Sequence, residues 1–363
     1  MSDPNGERNP GGRVAKRLQG ALILPRPPTP RFAVSRPSYS ILVPLLLAVS
    51  TACQEPPPEP DPVDEDPGPW ALVYFSDRSG SGDLWGWLPG AEADAPGRSV
   101  PVVSSAATEY APRRDAGRDR LTWLEDGPDG TRLRARAAVP ETAVDSGPDE
   151  GEAPILDLGP NPGTEETVVW SPDGRWRAYA AREDGTGAFR IYLEPADGGR
   201  PTPLTPASMD AVQPAWSPDG RRLAFQAPAD GSREIWVVPL AGAMPENVTR
   251  TPTVDEGHPG WSPEGDSLVF DAVAEAFDGA ALVVQAVDGG GRRVVWDGPG
   301  PDLVPSWSPD GRWIAFGADR GEGWDVWRVR TAGGEAQRLT TAPGFDGDPR
   351  WVPQRYLGVR EGG

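Results

Sequence analysis

From Trp70 onward the chain alternates short apolar runs with turn-forming residues, a pattern of many short strands rather than of helices. Arg222-Leu-Ala-Phe225 and Trp313-Ile-Ala-Phe316 are apolar runs of strand length. Glu234-Ile-Trp-Val-Val238 and Asp325-Val-Trp-Arg-Val329 alternate in the period of two that a half-buried strand requires. Ser-Pro-Asp-Gly stands before each apolar run. There Pro fixes the first corner, Asp bonds its own backbone, and Gly accepts the positive φ that returns the chain antiparallel. Further turns at Asp197-Gly-Gly199, Asp288-Gly-Gly290 and Gly333-Gly334 lead to a fourth strand, as in Gln337-Arg-Leu-Thr340.

These elements recur. Trp-Ser-Pro-Asp-Gly-Arg begins at Trp170, Trp216 and Trp307, and Trp-Ser-Pro-Glu-Gly at Trp261, giving spacings of 46, 45 and 46; Trp351-Val-Pro353 follows 44 residues on. Pro112 to Trp123 aligns without gaps to Pro214 to Phe225, with Arg114 at the Trp position, an eroded copy. Strands a, b, c and d make one unit, and strand c occurs six times, near Asp83, Thr131, Phe189, Glu234, Ala280 and Trp324. Leu72 to Trp85 matches Ile314 to Trp327 from strand b onward, so the first unit lacks strand a, which Asp348-Pro-Arg-Trp-Val352 can supply. The expectation is an all-β chain: a six-bladed β-propeller of four-stranded antiparallel blades, closed by pairing the N- and C-terminal strands.

The repeated Trp-Ser-Pro-Asp-Gly unit resembles the TolB-like propeller repeat from Trp70 to the end of the chain. TolB itself has an α/β domain before its propeller. Residues 1–69 cannot supply one, so the expectation is something other than a plain TolB. Because Trp170, Trp216, Trp261, Trp307 and Trp351 share one repeat position, they are expected between blades rather than on a sugar-binding platform.

The organisation expected is a signal segment with a basic extension over 1–52, an acidic Pro-rich tether over 53–69, and the propeller over 70–363. Arg26, Arg31 and Arg36 precede the nine apolar residues Ile41 to Val49, the length of a signal-peptide core and too short to span a bilayer. Ser50, Thr51 and Ala52 then lead to Cys53, the only cysteine. This resembles a bacterial lipoprotein signal and implies lipidation of Cys53, with anchoring in the cell envelope, periplasmic or at the outer membrane; Ser50 departs from the usual aliphatic residue. Gln54 to Pro69 cannot bury enough apolar surface to fold.

The net charge is −19, and the first 52 residues hold two acids and seven bases, so the remainder carries 52 acids against 28 bases. That surface repels nucleic acid and anionic headgroups, which leaves the lipid anchor as the expected membrane contact. The only lysine is Lys16 and the only histidine His258. Neither a hydrolase triad nor a histidine-rich lyase site can be assembled from them, and no Gly-x-Ser-x-Gly occurs. His258 stands where other repeats have Gln213 and Val304, and reads as a strand residue.

Counting five or six residues back from each Trp position reaches Glu109, Glu165, Asp210, Asp255, Asp302 and Asp346, one acid per repeat. In an a-b-c-d meander the d-to-a and b-to-c connections share one face, so these six are expected to ring a channel mouth. There they would hold a cation such as calcium or a basic peptide, or would bond backbone and neighbouring arginines. No other cofactor is expected. The functional expectation is a noncatalytic, monomeric envelope lipoprotein binding a protein or peptide. The alternative is a polysaccharide lyase or glycosidase with its site in the channel.

Overall fold

The computed structural model describes residues 70–90, 97–139, 155–160, 165–182, 187–242 and 244–357. The expected signal segment, Cys53 and tether lie outside these residues.

The described chain is built of strands, with short 3-10 turns at Ala116–Arg118 and Gln354–Leu357, in the arrangement of a β-propeller. Strand a of the six repeats is, in chain order from the second, Thr108–Asp115, Glu165–Trp170, Val212–Trp216, Asp255–Trp261 and Gly300–Trp307; the first repeat takes Asp346–Pro353. Each strand a touches the next, and Asp346–Pro353 touches Thr108–Asp115, so the contacts run round a closed circuit. The closing strand pairs antiparallel with Trp70–Ser76, from Trp70 opposite Pro353 to Ser76 opposite Asp346. Beyond it, Gln354–Leu357 forms a 3-10 turn whose Tyr356 and Leu357 are buried. Arg136 donates to the Tyr356 carbonyl and the Tyr356 hydroxyl donates to Asp119, so this turn fastens the closing strand to the second repeat.

Hydrogen bonding groups the strands into four sheets of four and one of eight, and not into six separate sheets. The fifth and sixth repeats share the larger sheet through a parallel bridge of Gly279 with Gly300 and Ala280 with Pro301. Glycine makes this approach possible. A Cβ on Gly279, at φ +108°, would lie 2.7 Å from the Gly300 carbonyl carbon.

The Ser-Pro-Asp-Gly turns behave as the sequence predicts. The Ser171 and Ser217 hydroxyls donate to Asp173 and Asp219 at 2.6 Å and accept from the amides of Trp176 and Arg222, with Gly174 and Gly220 at φ +68°. In Ser262-Pro-Glu-Gly the longer Glu264 leaves this role to Asp266, 3.0 Å from the Ser262 hydroxyl.

The repeat tryptophans lie in the junctions between consecutive repeats. Trp261 packs with Ala224, Ile235 and Val237 of the preceding repeat, and Trp351 beside Ala315 and Val326. Their indole N–H groups reach back as well: Trp216 to the Val169 carbonyl at 3.2 Å, Trp261 to Ala215 at 3.0 Å, Trp351 to Ser306 at 3.1 Å, and Trp170 to the Thr122 hydroxyl at 3.1 Å. Trp307 has no such partner for its buried N–H. Trp261→Phe should therefore cost about 1–2 kcal/mol beyond repacking, by leaving the Ala215 carbonyl without its donor, whereas Trp307→Phe should be near neutral. Denaturant unfolding of the two variants checks this; equal losses would mean that the indole bonds contribute nothing.

Candidate functional site

Strand a carries the same distortion in five repeats. Ala111, Gln213, His258, Val304 and Asp348, each three residues before the Trp position, have φ between 50° and 57°, and the register with strand b shifts at that point. A left-handed residue without glycine is uncommon, and costly for β-branched Val304. The bulge turns these residues toward one another. The His258 amide donates to Gln213 Oε1 at 2.7 Å, His258 Nδ1 lies 2.7 Å from Asp271 Oδ2, and Nε2 lies 3.0 Å from Gln213 Nε2. These contacts close as one neutral tautomer, with Nδ1 donating to Asp271 and Nε2 accepting from the Gln213 amide. Asp271 also accepts from the Val304 amide at 3.0 Å, which carries the network into the sixth repeat.

Asp348 forms a second knot. Arg113 donates to it at 2.9 Å and Arg350 lies 2.6 Å from its other oxygen. Burial works to raise this carboxyl, yet the charges of Arg113 and Arg350 hold it below the usual carboxylate range. Sequence reading missed both knots, since nothing in the pattern announces a left-handed residue that is not glycine.

The acids counted back from the Trp positions fall into two sets. Asp302 and Asp346 are buried, and each is paired with an arginine of its own b-to-c connection: Arg320 with Asp302, and Arg78 with Asp346 at 2.6 Å. Arg78 also lies over the Trp85 ring. Glu109 is buried with the Ser105 hydroxyl on Oε1. Asp210 and Asp255 sit one residue earlier in the repeat and so point the other way. Asp210 is part-exposed, accepting from the Phe189 amide at 3.0 Å and from Arg233 at 3.1 Å; Asp255 is exposed and accepts from the Arg233 amide at 2.9 Å. The residue truly equivalent to Glu109 in the fifth repeat is Glu256, fully buried and paired with Arg292 at 2.7 Å. Glu165 opens its strand opposite Ala180. The 228–233 hairpin and Asp255 together line a pocket of about 460 Å3 on this face. Among the described residues, no three His, Cys, Asp or Glu side chains gather as a metal site.

Comparison with known proteins agrees with the repeat. The fold is that of a β-propeller, and residues 165–275, which hold two of the recurring Trp-Ser-Pro-Asp-Gly units, match the family model described as the TolB beta propeller domain. TolB from Acinetobacter baumannii superposes with a TM-score of 0.63 at 15% identity, covering 78% of this chain and 66% of that one. A putative TolB from Agrobacterium tumefaciens gives 0.56 at 18% identity, covering 78% and 98%. In sequence the chain is 36% identical over 67 residues to an uncharacterized protein of Agrobacterium fabrum, 18% of this chain and 22% of that protein. It is 42% identical over 65 residues to an uncharacterized peptidase of Bacillus subtilis, 17% of this chain and 10% of that protein. The matched segments thus span less than a quarter of either relative.

Burial pushes the Glu109 carboxyl up to about 7, with Ser105 opposing and the nearby Asp83 adding to the rise. The folded chain therefore holds this proton more tightly than the unfolded one. The contribution favours folding below the ordinary value of 4.5 and is lost as pH rises through about 7. Ionising the group at pH 8 should cost about 3 kcal/mol. Thermal melts at pH 5 and pH 8 without added divalent ions should show a fall for wild type that Glu109→Gln largely removes; the same fall in the variant would place the pH dependence elsewhere.

Proposed function

We propose that this chain is a noncatalytic binding module of the bacterial cell envelope. It is a monomeric propeller of six blades held to a membrane by lipidated Cys53, and it offers the face of its b-to-c and d-to-a connections to a protein or peptide. Six blades are counted by taking each half of the eight-stranded sheet as one. The reading rests on the contrast between the two ends of the strands. At one end the Ser-Pro-Asp-Gly turns repeat the same bonds. At the other, connections of unlike sequence are held by Arg78–Asp346, Arg233–Asp210 and Arg320–Asp302. Unlike loops fixed on a rigid frame suit recognition, because little order has to be gained on binding. Likeness to TolB propellers supports a periplasmic setting and a protein partner. The acidic surface keeps nucleic acid away and leaves lipid contact to the anchor.

A second reading, a lyase or glycosidase acting in the channel, draws on the His258–Asp271 pair and the Asp348 knot, which set titratable groups on the inner strands. It is the weaker one, because both His258 ring nitrogens are already engaged.

Capture from envelope extracts with the purified protein separates the two readings. Wild type should retain one stoichiometric protein; Asp255→Arg with Glu322→Arg, on the proposed face, should lose it, and Arg175→Glu with Arg221→Glu, on the opposite turns, should keep it. Cys53→Ser should do the same from the soluble fraction, unacylated by mass spectrometry. Turnover of a glycan panel without any captured protein would decide for the enzyme.

A further inference from the structure

Where strand c of one repeat meets strand a of the next, three junctions carry acids out of water. Each holds one buried acid on either strand: Asp325 and Asp346 between the sixth and first repeats, Glu234 and Glu256 between the fourth and fifth, and Asp83 and Glu109 between the first and second. In the first two junctions arginine supplies the balancing charge. Arg338 lies 2.6 Å from Asp325 and Arg78 lies 2.6 Å from Asp346, while Arg292 lies 2.7 Å from Glu256. One carboxylate oxygen at each, Asp346 Oδ1 and Glu256 Oε2, is still left without a hydrogen-bond donor.

The Asp83–Glu109 junction has no arginine. Asp83 is 1% exposed and Glu109 0%, and their only side-chain donors are neutral hydroxyls, Ser79 on Asp83 Oδ2 and Ser105 on Glu109 Oε1. Asp83 Oδ1 and Glu109 Oε2 are both buried with no partner, and the Glu109 amide donates to the Gly82 carbonyl at 2.8 Å, which sets the two acids' strands side by side. Two uncompensated carboxylates out of water are among the costliest arrangements a fold can hold. The repeat unit explains the gap: the second repeat turns from strand b to strand c through Gly127–Gly130, a tight hairpin with no counterpart of Arg78 or Arg320.

We propose that this junction binds a divalent cation of the calcium class between Asp83 Oδ1 and Glu109 Oε2. Further oxygens stand beside them. The Ser81 carbonyl lies 3.2 Å from the Ser79 hydroxyl oxygen, and the Ser81 hydroxyl donates to the Ser105 carbonyl at 3.3 Å, so three serines gather hydroxyls and carbonyls into the same patch. Calcium takes such mixed sets of carboxylate, carbonyl, hydroxyl and water oxygens, and accepts irregular geometry. Ser79 and Ser105 are exposed and give an ion a way in, whereas an arginine from a partner would have to part both turns to reach acids this deep. The ion would stand where arginine stands in the other two junctions, joining the first repeat to the second.

The test is calorimetry and thermal melting of the purified full chain at pH 8 and low salt. Calcium should bind wild type at one site per chain and raise the melting temperature by several degrees, through preferential binding to the folded state. Asp83→Asn and Glu109→Gln should each abolish the heat and the increment, while melting no lower than wild type does in chelator. Asp210→Asn with Asp255→Asn, in the less buried acids of the same face, should leave both intact. Absence of a calcium heat in wild type at pH 8 would overturn the site and leave a shared proton as what balances the pair. Survival of the increment in Asp83→Asn and Glu109→Gln would equally overturn it.

Discussion

The structure depends on how one sheet is fastened to the next. Each four-stranded unit has two broad apolar faces and cannot bury both alone, so its stability comes from its neighbours. The repeat tryptophan makes that dependence directional. It fills the gap to the preceding unit and spends its N–H on that unit's chain, as Trp216 does on Val169 and Trp261 on Ala215. Because the bond runs from strand to strand, inner strands keep their spacing around the circuit. That spacing in turn lets Gln213, His258, Asp271 and Val304 form one network across three repeats.

Charge follows the same logic. Arg78 and Arg320 pair with buried strand acids where apolar packing gives way to a b-to-c connection. These pairs fix loops more than they stabilise the fold, since a buried pair gives back much of its attraction as desolvation. The loops they fix form one face, and the proposed partner site follows from that restraint. Where the arginine is missing, at Asp83 and Glu109, the same requirement for charge balance points to an ion.

Much of this was legible in the sequence, and the limits have physical causes. Period-two strands, the Ser-Pro-Asp-Gly turns and the complementary ends located the strands and the closing segment, because each rests on local chemistry. The acid ring was only half legible. Counting from the Trp tolerates an error of one residue, and one residue in a strand reverses the side chain, so Asp255 was picked where Glu256 is the buried equivalent. Asp83 escaped because an acid at the start of a strand looks like a turn residue until the next repeat is packed against it. The shared sheet of the fifth and sixth repeats depends on Gly279 meeting Gly300 across the chain, which no local pattern reveals.

The central claim is that the ring is one cooperative body closed by its last strand. Native-state hydrogen exchange reads this directly. Amides of Trp70–Ser76 and Asp346–Pro353 that bond across the closing ladder should exchange only through global unfolding, as slowly as those of Arg222–Ala229 in the middle of the chain. Exchange of the Asp346–Pro353 amides through a separate, low-energy opening, with the rest of the molecule still protected, would contradict it.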